Sequence, residues 1–146
     1  MPSTSLSQAV YTLARSHRAR LAALLAPHGI HAGQDVLLLA IWDEPGMRQA
    51  ELAIRLGVEP PTVTRMLQRL ERSGMVERRN DPHDGRALRV HPTPRSRLLE
   101  GTVRRAWAQL DELLVVALGE AAAAQLSELA TAGATALKSG SPESVE

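Results

Sequence analysis

The most restrictive feature of the sequence is the order of elements predicted between residues 47 and 92. A short amphipathic helix over 47–56 is closed by Gly57, and a second helix over 60–73 follows after a brief turn. Residues 75–92 then form two alternating apolar and polar segments around a stretch rich in turn formers. Two short helices joined by a glycine-containing turn predict a helix-turn-helix, and the hairpin after them predicts a wing.

The second helix of this motif separates an apolar stripe from a polar face. The residues predicted to point inward recur at helical spacing and are Val63, Met66, Leu67 and Leu70. The outward-facing residues are Thr62, Thr64, Arg65, Gln68, Arg69 and Arg72. A recognition helix enters the major groove by its first turns, so we expect Thr62, Thr64 and Arg65 to read base edges. The residues expected to contact phosphates are Gln49, Gln68, Arg69, Arg72 and Arg89.

The charge of the chain is unevenly distributed. From Thr62 to Arg97 there are nine arginines and four acids, a local balance of +5, so the rest must sum to −4 for the total of +1. A basic segment in a nearly neutral chain is typical of a surface that binds a polyanion. The alternative for any one of these arginines is an ion pair on a solvated surface.

Two acids fall in the predicted turn of the wing, Asp81 and Asp84. A pair of carboxylates three residues apart can serve catalysis or bind a metal. We expect instead that they order the wing through Asx-type turns and by pairing with Arg86 or a neighbouring arginine.

Helical segments flank the motif on both sides. Residues 5–26 have the period of an amphipathic helix, and Thr93 is placed to cap a long helix over 94–118. A last alanine-rich helix ends near residue 137, and residues 138–146 are expected to be a disordered tail. The fold class predicted is mainly α (α+β), a winged helix-turn-helix with a two-stranded wing and additional helices at both ends.

Several classes of function are excluded by what the sequence lacks. It has no cysteine, so disulfides and thiolate zinc sites are absent, and His28-x-x-His31 is half a zinc site without completing ligands. It has no nucleophile elbow, phosphate-binding loop or metal-ligand spacing, so we expect neither an enzyme nor a cofactor. No run approaches the roughly 20 apolar residues of a membrane span. We therefore expect a cytoplasmic protein without a membrane partner.

The elements and their residues resemble the bacterial MarR (multiple antibiotic resistance regulator) family over about residues 5–137. The most specific match is the run LERSGMVERR at 70–79, followed by the wing pattern D-x-x-D-x-R at Asp81, Asp84 and Arg86. The resemblance implies a winged domain over 33–92, with the recognition helix at about 60–73 and the wing at about 75–92. It also implies a helical dimerisation region made of residues 5–30 and 94–137.

The resemblance further implies a function: a homodimeric repressor that binds a pseudo-palindromic operator in double-stranded DNA and is released by a small molecule. Arg86 would enter the minor groove, where a narrow A/T-rich groove attracts a cation. A small aromatic or anionic effector would bind in a pocket formed by Tyr11, His17, Arg18, His28 and Trp42. A core or interface histidine is the alternative for His17. The alternative function is a winged-helix module that binds protein and has no specific DNA readout.

The sequence departs from the family pattern at several positions. Met47 stands where the family has a Thr or Ser helix cap, and Pro60-Pro61 replaces a Ser-Arg pair. Pro92 replaces a customary Leu, and Ser96 a customary Gly. We expect these changes to affect operator choice and local stability and to leave the fold intact.

Overall fold

The computed structural model describes residues 4–140. Within this range there are six α-helices: α1 Leu6–Leu25, α2 Gln34–Asp43, α3 Gln49–Leu56, α4 Pro60–Arg72, α5 Pro94–Leu118 and α6 Glu120–Ser139. The strands are β1 Met47–Arg48, β2 Val76–Asn80 and β3 Leu88–Pro92, and a 3-10 turn, Ala26–His28, follows α1. The predicted class, mainly helical with a small antiparallel sheet in a winged helix-turn-helix, is confirmed.

The sheet has one strand more than the sequence predicts. β2 and β3 form the antiparallel wing hairpin, and β1 pairs with the other side of β3 through Met47↔Val90 and Arg48↔Arg89. The prediction that Met47 and Arg48 begin a helix is therefore wrong. Two residues are too few to show alternation, and only the presence of β3 makes them a strand.

The start of α3 differs from the expectation for the same reason. Arg48, in extended conformation, is the N-cap residue, and its backbone N–H donates to the Glu51 carboxylate at 2.9 Å. A capping box consists of two hydrogen bonds. This one, from the backbone of the N-cap residue to the side chain at the third helical position, is one of the two. Met47 lies in β1 and does not cap the helix.

The boundaries of the helix-turn-helix follow from its turn residues. Gly57 ends α3 at φ +64°, a left-handed conformation that glycine adopts without steric cost. Pro60 and Pro61 occupy the first two positions of α4, where a missing N–H leaves no hydrogen bond unmade.

Two side chains fix the start of α5: Thr93 caps the helix, and Ser96 joins it to the end of α2. The Thr93 hydroxyl accepts from the Ser96 backbone N–H at 3.2 Å and so caps α5. Ser96 is fully buried, and its hydroxyl accepts from Nε1 of Trp42 at 3.2 Å. The serine that replaces the family's glycine therefore provides the hydrogen-bond acceptor that a buried indole requires.

The chain divides into two compact units, the first extending to Trp107 and the second beginning at Ala108. The first unit contains the winged helix-turn-helix. Its fully buried apolar side chains include Leu25, Leu37, Leu38, Ile41, Leu52, Val63, Leu67, Leu70, Val76, Val90 and Val103. The buried Leu25 and Val103 belong to α1 and α5, so both helices contribute to this core.

The second unit holds the end of α5 and all of α6. Lys138 and Ser139, predicted to begin a disordered tail, are both helical. Residues 141–146 of that predicted tail lie outside the described residues. Among residues 4–140, no single helix has the length and hydropathy of a membrane span. The bent pair of α5 and α6 together passes that test on length and composition alone.

Candidate nucleic-acid interface

Helix α4, predicted to be the recognition helix, has four distinct faces. Its buried face consists of Val63, Leu67 and Leu70, three of the four residues in the predicted apolar stripe. The fourth, Met66, is only half buried. The fully outer face carries Arg65, Gln68 and Arg72, all exposed and separated by three or four residues. A third face, with Thr62, Met66 and Arg69, lines a cavity, and the fourth, at Thr64, faces α3.

The structure brings Thr64 and Gln49 together instead of leaving both in solvent. Nε2 of Gln49 donates to the Thr64 hydroxyl, which in turn donates to the Pro60 carbonyl at 3.0 Å. The Thr64 hydroxyl thus accepts one hydrogen bond and donates another within the protein, and the residue is half buried. Sequence reasoning missed this pairing because the two residues lie 15 positions apart.

The basic segment contains two groups of arginines. Four of the nine are in ion pairs with acids: Arg78, Arg79, Arg89 and Arg97. The other five are exposed and take part in no ion pair among residues 4–140: Arg65, Arg69, Arg72, Arg86 and Arg95. Guanidinium groups without a protein partner are free to bind an anion.

Asp81 lies at the base of the wing and joins three parts of the chain. Its carboxylate accepts from Arg48 and from Nε of Arg89, both at 2.9 Å, and from the His83 backbone N–H at 2.8 Å. The side chain has no solvent-accessible surface, because the two arginines at the protein surface cover it. The His83 N–H bond, with the two arginine side chains, lowers the pKa of Asp81 to about 2.

Arg89 is held inside this network. Besides Asp81, it donates from its terminal nitrogen to the Gly46 carbonyl at 2.8 Å. Its donors are thus largely used to connect β3 with the segment before β1. Arg89 therefore supports the wing through contacts within the protein, whereas the sequence predicted that it contacts a DNA phosphate.

The tip of the wing is ordered by a second acid. The Asp84 carboxylate accepts from the Arg86 backbone N–H at 3.1 Å, an Asx turn. The Ala87 N–H donates to the Asp84 carbonyl at 3.0 Å and closes the tip. The partner arginines of the wing acids are Arg48 and Arg89, both bound to Asp81, so the Arg86 side chain is left exposed at the tip.

A cavity of about 580 Å³, here named the α1 cavity, lies within the first unit. The residues that define it are His17, Arg18, Asp35, Thr62, Arg69 and Trp107. Nε1 of Trp107 donates to the buried Asp35 carboxylate at 3.0 Å, and the Trp107 and His17 rings meet edge to face at 5.4 Å. Asp35 and Trp107 were missed by sequence reasoning, because an acid and an indole 72 positions apart give no local signal.

Only two of the five residues predicted to form one ligand pocket line the α1 cavity, His17 and Arg18. Trp42 is buried in the core against Ser96, at the end of the apolar run that α2 forms over residues 36–42. Tyr11 is 66% exposed on the first half of α1, where no described residue covers it. Neither Tyr11 nor Trp42 lines the α1 cavity.

His28 lines a second cavity together with Arg69, Arg72 and Arg95, which we name the basic cavity. Arg95 was not predicted as a site residue, because the sequence indicates only that it lies after the wing, in the first turn of α5. Among residues 4–140, no group of three or more His, Cys, Asp or Glu side chains is arranged to hold a metal ion.

Comparison with known proteins identifies the same family on three levels. A sequence profile described as the MarR family matches residues 30–88. The chain is 36% identical over 98 residues, 67% of its length, to the HTH-type transcriptional regulator TtmR of Methylorubrum extorquens, and spans 50% of that protein. It is 32% identical over 109 residues to the HTH-type transcriptional repressor Rv2887 of Mycobacterium tuberculosis, covering 72% of this chain and 78% of that protein.

A solved structure of an E. coli MarR mutant complexed with operator DNA is similar along most of both chains. The TM-score is 0.80 at 28% identity, covering 86% of this chain and 91% of that chain. With the recognition helix and ordered wing described above, these matches show that the chain belongs to the MarR family of DNA-binding transcriptional regulators, which are not enzymes.

Proposed function

We propose that the protein is a homodimeric repressor that binds a pseudo-palindromic operator and is released by a small-molecule ligand. The observation that carries the proposal is the set of exposed arginines without acidic partners on α4 and the wing. Two related proteins support it: Rv2887 is named a repressor, and the similar E. coli structure is a complex with operator DNA. Acting on operator DNA, the protein would work in the bacterial cytoplasm.

Arg65 is the residue we assign to base reading on α4. It is exposed, lies in the second turn of the helix and has no acid to compete for its guanidinium. An arginine in that position can donate two hydrogen bonds to O6 and N7 of guanine. The methyl group of Thr64 suits contact with a thymine methyl. Thr62 lines the α1 cavity, and the part of its side chain outside the cavity wall stays a candidate base contact.

The other exposed side chains of α4 are assigned to phosphates. Gln68, Arg69 and Arg72 lie farther along the helix than Arg65, where contacts position the domain without reading sequence. Gln49 and Arg89 would act by holding α3 and the wing in place, since their polar groups are bonded within the protein. Arg86 at the wing tip would enter an A/T-rich minor groove.

The homodimer is proposed from apolar surface that the described residues leave uncovered. On α1, Leu6 and Val10 are 81% and 55% exposed, and in the second unit Val116 and Leu137 are 85% and 83% exposed. Exposed apolar patches of this kind mark interaction surfaces, and a second copy would cover them. Two recognition helices would then read half-sites about 10 bp apart, centre to centre.

Ligand release is proposed through the α1 cavity. A volume of about 580 Å³ suits a small molecule, and the walls come from both α1 and the recognition helix α4. A ligand that binds better when these helices are in one arrangement would shift the population away from the DNA-binding form. The aromatic and basic lining, with Trp107 and Arg18, suits an aromatic or anionic effector.

The test is capture of fragmented genomic DNA by the purified protein, with Arg65→Ala and Arg86→Ala in parallel. We expect a few sites that share a near-palindrome, an affinity that falls steeply with salt, and a loss of about 5- to 150-fold for Arg65→Ala. Arg105→Ala, an exposed arginine on α5, is the matched control and should keep full affinity. Capture without a common motif would contradict the proposal and favour a protein-interaction module.

A further inference from the structure

Helix α4 begins with two prolines, Pro60 and Pro61, and neither has a backbone N–H. The next N–H group, that of Thr62, donates to the Glu59 carbonyl at 2.9 Å, and the N–H of Val63 donates to the same carbonyl at 3.3 Å. Free N–H groups at the start of a helix are the donors that bind a phosphate. Residues 60–63 therefore have no backbone donor left for the phosphates of DNA.

The N-cap residue Glu59 adds a negative charge at the same end of α4. Its side chain is exposed, caps no backbone N–H and takes part in no ion pair within the described part of the chain. A carboxylate without a counter-charge repels a phosphate placed beside it. The first turn of α4 is thus unsuited to the DNA backbone, and the groups that it can meet in the major groove are the uncharged base edges.

Pro61 belongs to the outer face of α4. Residues 61, 65, 68 and 72 follow one another at spacings of three or four, and all four are exposed. Pro60 is also exposed, but it lies one turn before Thr64, whose hydroxyl donates to the Pro60 carbonyl at 3.0 Å on the side that faces α3. The ring of Pro61 therefore extends the face that carries Arg65 by one turn toward the start of the helix.

The Pro61 side chain presents only methylene groups, without a hydrogen-bond donor or acceptor, and its ring fixes the backbone to which it is attached. Of the groups that base pairs expose in the major groove, the apolar one is the 5-methyl group of thymine. We propose that Pro61 contacts a pyrimidine 5-methyl group in each half-site and so selects thymine at one position of the operator. This assignment rests on the proposed function, because it requires α4 to enter the major groove.

The position of that thymine follows from the distance between Pro61 and Arg65. Four residues of a helix rise by about 6 Å, and successive base pairs are about 3.4 Å apart. We therefore expect the thymine one or two base pairs from the guanine assigned to Arg65.

The test uses the full chain and a DNA duplex that it enriches from a random library. Each thymine of one half-site is replaced in turn by deoxyuridine, which removes the 5-methyl group and leaves the hydrogen-bonding groups of the base unchanged. The loss of one buried methyl group should raise the Kd about fourfold at the predicted thymine. With a cytosine–guanine pair at that position, 5-methylcytosine should bind about fourfold more tightly than cytosine, because the methyl group returns.

Matched variants then assign the methyl contact to one side chain. Pro61→Ala removes the ring, and the Kd ratio of the deoxyuridine and thymine duplexes should fall from about four to about one. Pro60→Ala makes the same change in the same turn and should keep the ratio at about four. Thr64→Ser removes the other methyl group proposed to meet a thymine, keeps the hydroxyl that bonds to Gln49 and Pro60, and should also leave this ratio unchanged. A ratio is compared because the N–H that alanine restores can change the affinity for both duplexes.

Three results would overturn the assignment to Pro61: no thymine of the half-site with a raised ratio, a raised ratio that survives Pro61→Ala, or a raised ratio that Thr64→Ser abolishes. Enrichment of a duplex without such a methyl contact removes only this assignment and leaves the proposed function intact. If no duplex is enriched at all, the proposed function fails, and the assignment fails with it.

Discussion

Asp81 connects β1, the wing loop and β3, because it accepts from Arg48, His83 and Arg89. A carboxylate that receives three hydrogen bonds at one end of a hairpin holds that hairpin in a single orientation. Wing position matters for the minor-groove contact proposed for Arg86, five residues farther along the chain. The side chain that orders the wing is therefore distinct from the side chain that is proposed to touch DNA.

The effect of Asp81 should depend on pH. Its pKa is about 2 in the folded protein and 3.8 as the ordinary value, so the folded state favours the ionised form. The stabilisation is complete above about pH 4 and is lost as the pH falls toward 2. We expect Asp81→Asn to lower the Tm by several degrees at pH 7, and the difference from the natural protein to shrink below pH 4.

Thermal unfolding followed by circular dichroism from pH 7 to pH 2 measures this difference. Asp111→Asn, at an exposed position on α5 that takes part in no ion pair within residues 4–140, is the control and should change the Tm at no pH. If the Tm difference between Asp81→Asn and the natural protein is as large at pH 2 as at pH 7, the charge of Asp81 has no part in stability.

At the scale of elements, α3 and α4 are held together by more than their apolar contacts. Gln49 on α3 donates to Thr64 on α4, and Thr64 donates back to Pro60 in the first turn of its own helix. The pair Pro60-Pro61 removes two N–H groups at this helix start, and Glu59 makes no side-chain cap. The contact with Gln49 therefore fixes a first turn that lacks a conventional cap.

A double-mutant cycle tests this contact. Gln49→Ala and Thr64→Val should each lower the free energy of unfolding by about 1 kcal/mol, the net value of one hydrogen bond. The double variant should cost no more than Thr64→Val alone, because Thr64→Val already removes the contact with Gln49 together with the bond to Pro60. Urea denaturation provides the four values, and Gln68→Ala on the outer face should stay within about 0.5 kcal/mol of the natural protein. Strictly additive losses would mean that the two side chains do not interact in solution.

At the scale of the whole molecule, the distribution of apolar surface is uneven. Single exposed apolar residues are ordinary, and Ile54 on α3 is one, at 82% exposed. In the second unit, however, the described residues leave several large apolar side chains uncovered: Leu113, Val116, Leu118, Leu129 and Leu137. Such a group is expected where a second chain binds.

Val116→Glu should therefore convert a dimer into a monomer. Light scattering after size-exclusion chromatography should give the natural protein twice the chain mass of 15.8 kDa, and Val116→Glu a single chain mass at micromolar concentration. A buried glutamate in an apolar interface is costly because its charge loses water without gaining a partner. Ile54→Glu makes the same change at an equally exposed position and should remain dimeric. A natural protein with the mass of one chain would contradict the homodimer.

The sequence by itself determined α1, α3, α4, α5 and α6, the wing hairpin and the family, because helical period, glycine and proline positions and strand alternation are local properties. The apolar stripe of α4, the start of α4 at Pro60 and the cap at Thr93 belong to this part. Only the tertiary structure decided what depends on distant pairs. Asp81 meets Arg48 at 33 positions' separation, Trp107 meets Asp35 at 72, and Trp42 meets Ser96 at 54. Other distant contacts made β1 a strand beside β3, brought Gln49 to Thr64 and placed Arg95 and Arg72 at one cavity. Sequence reasoning could not predict these contacts, because the packing of separated segments carries no signature in local spacing.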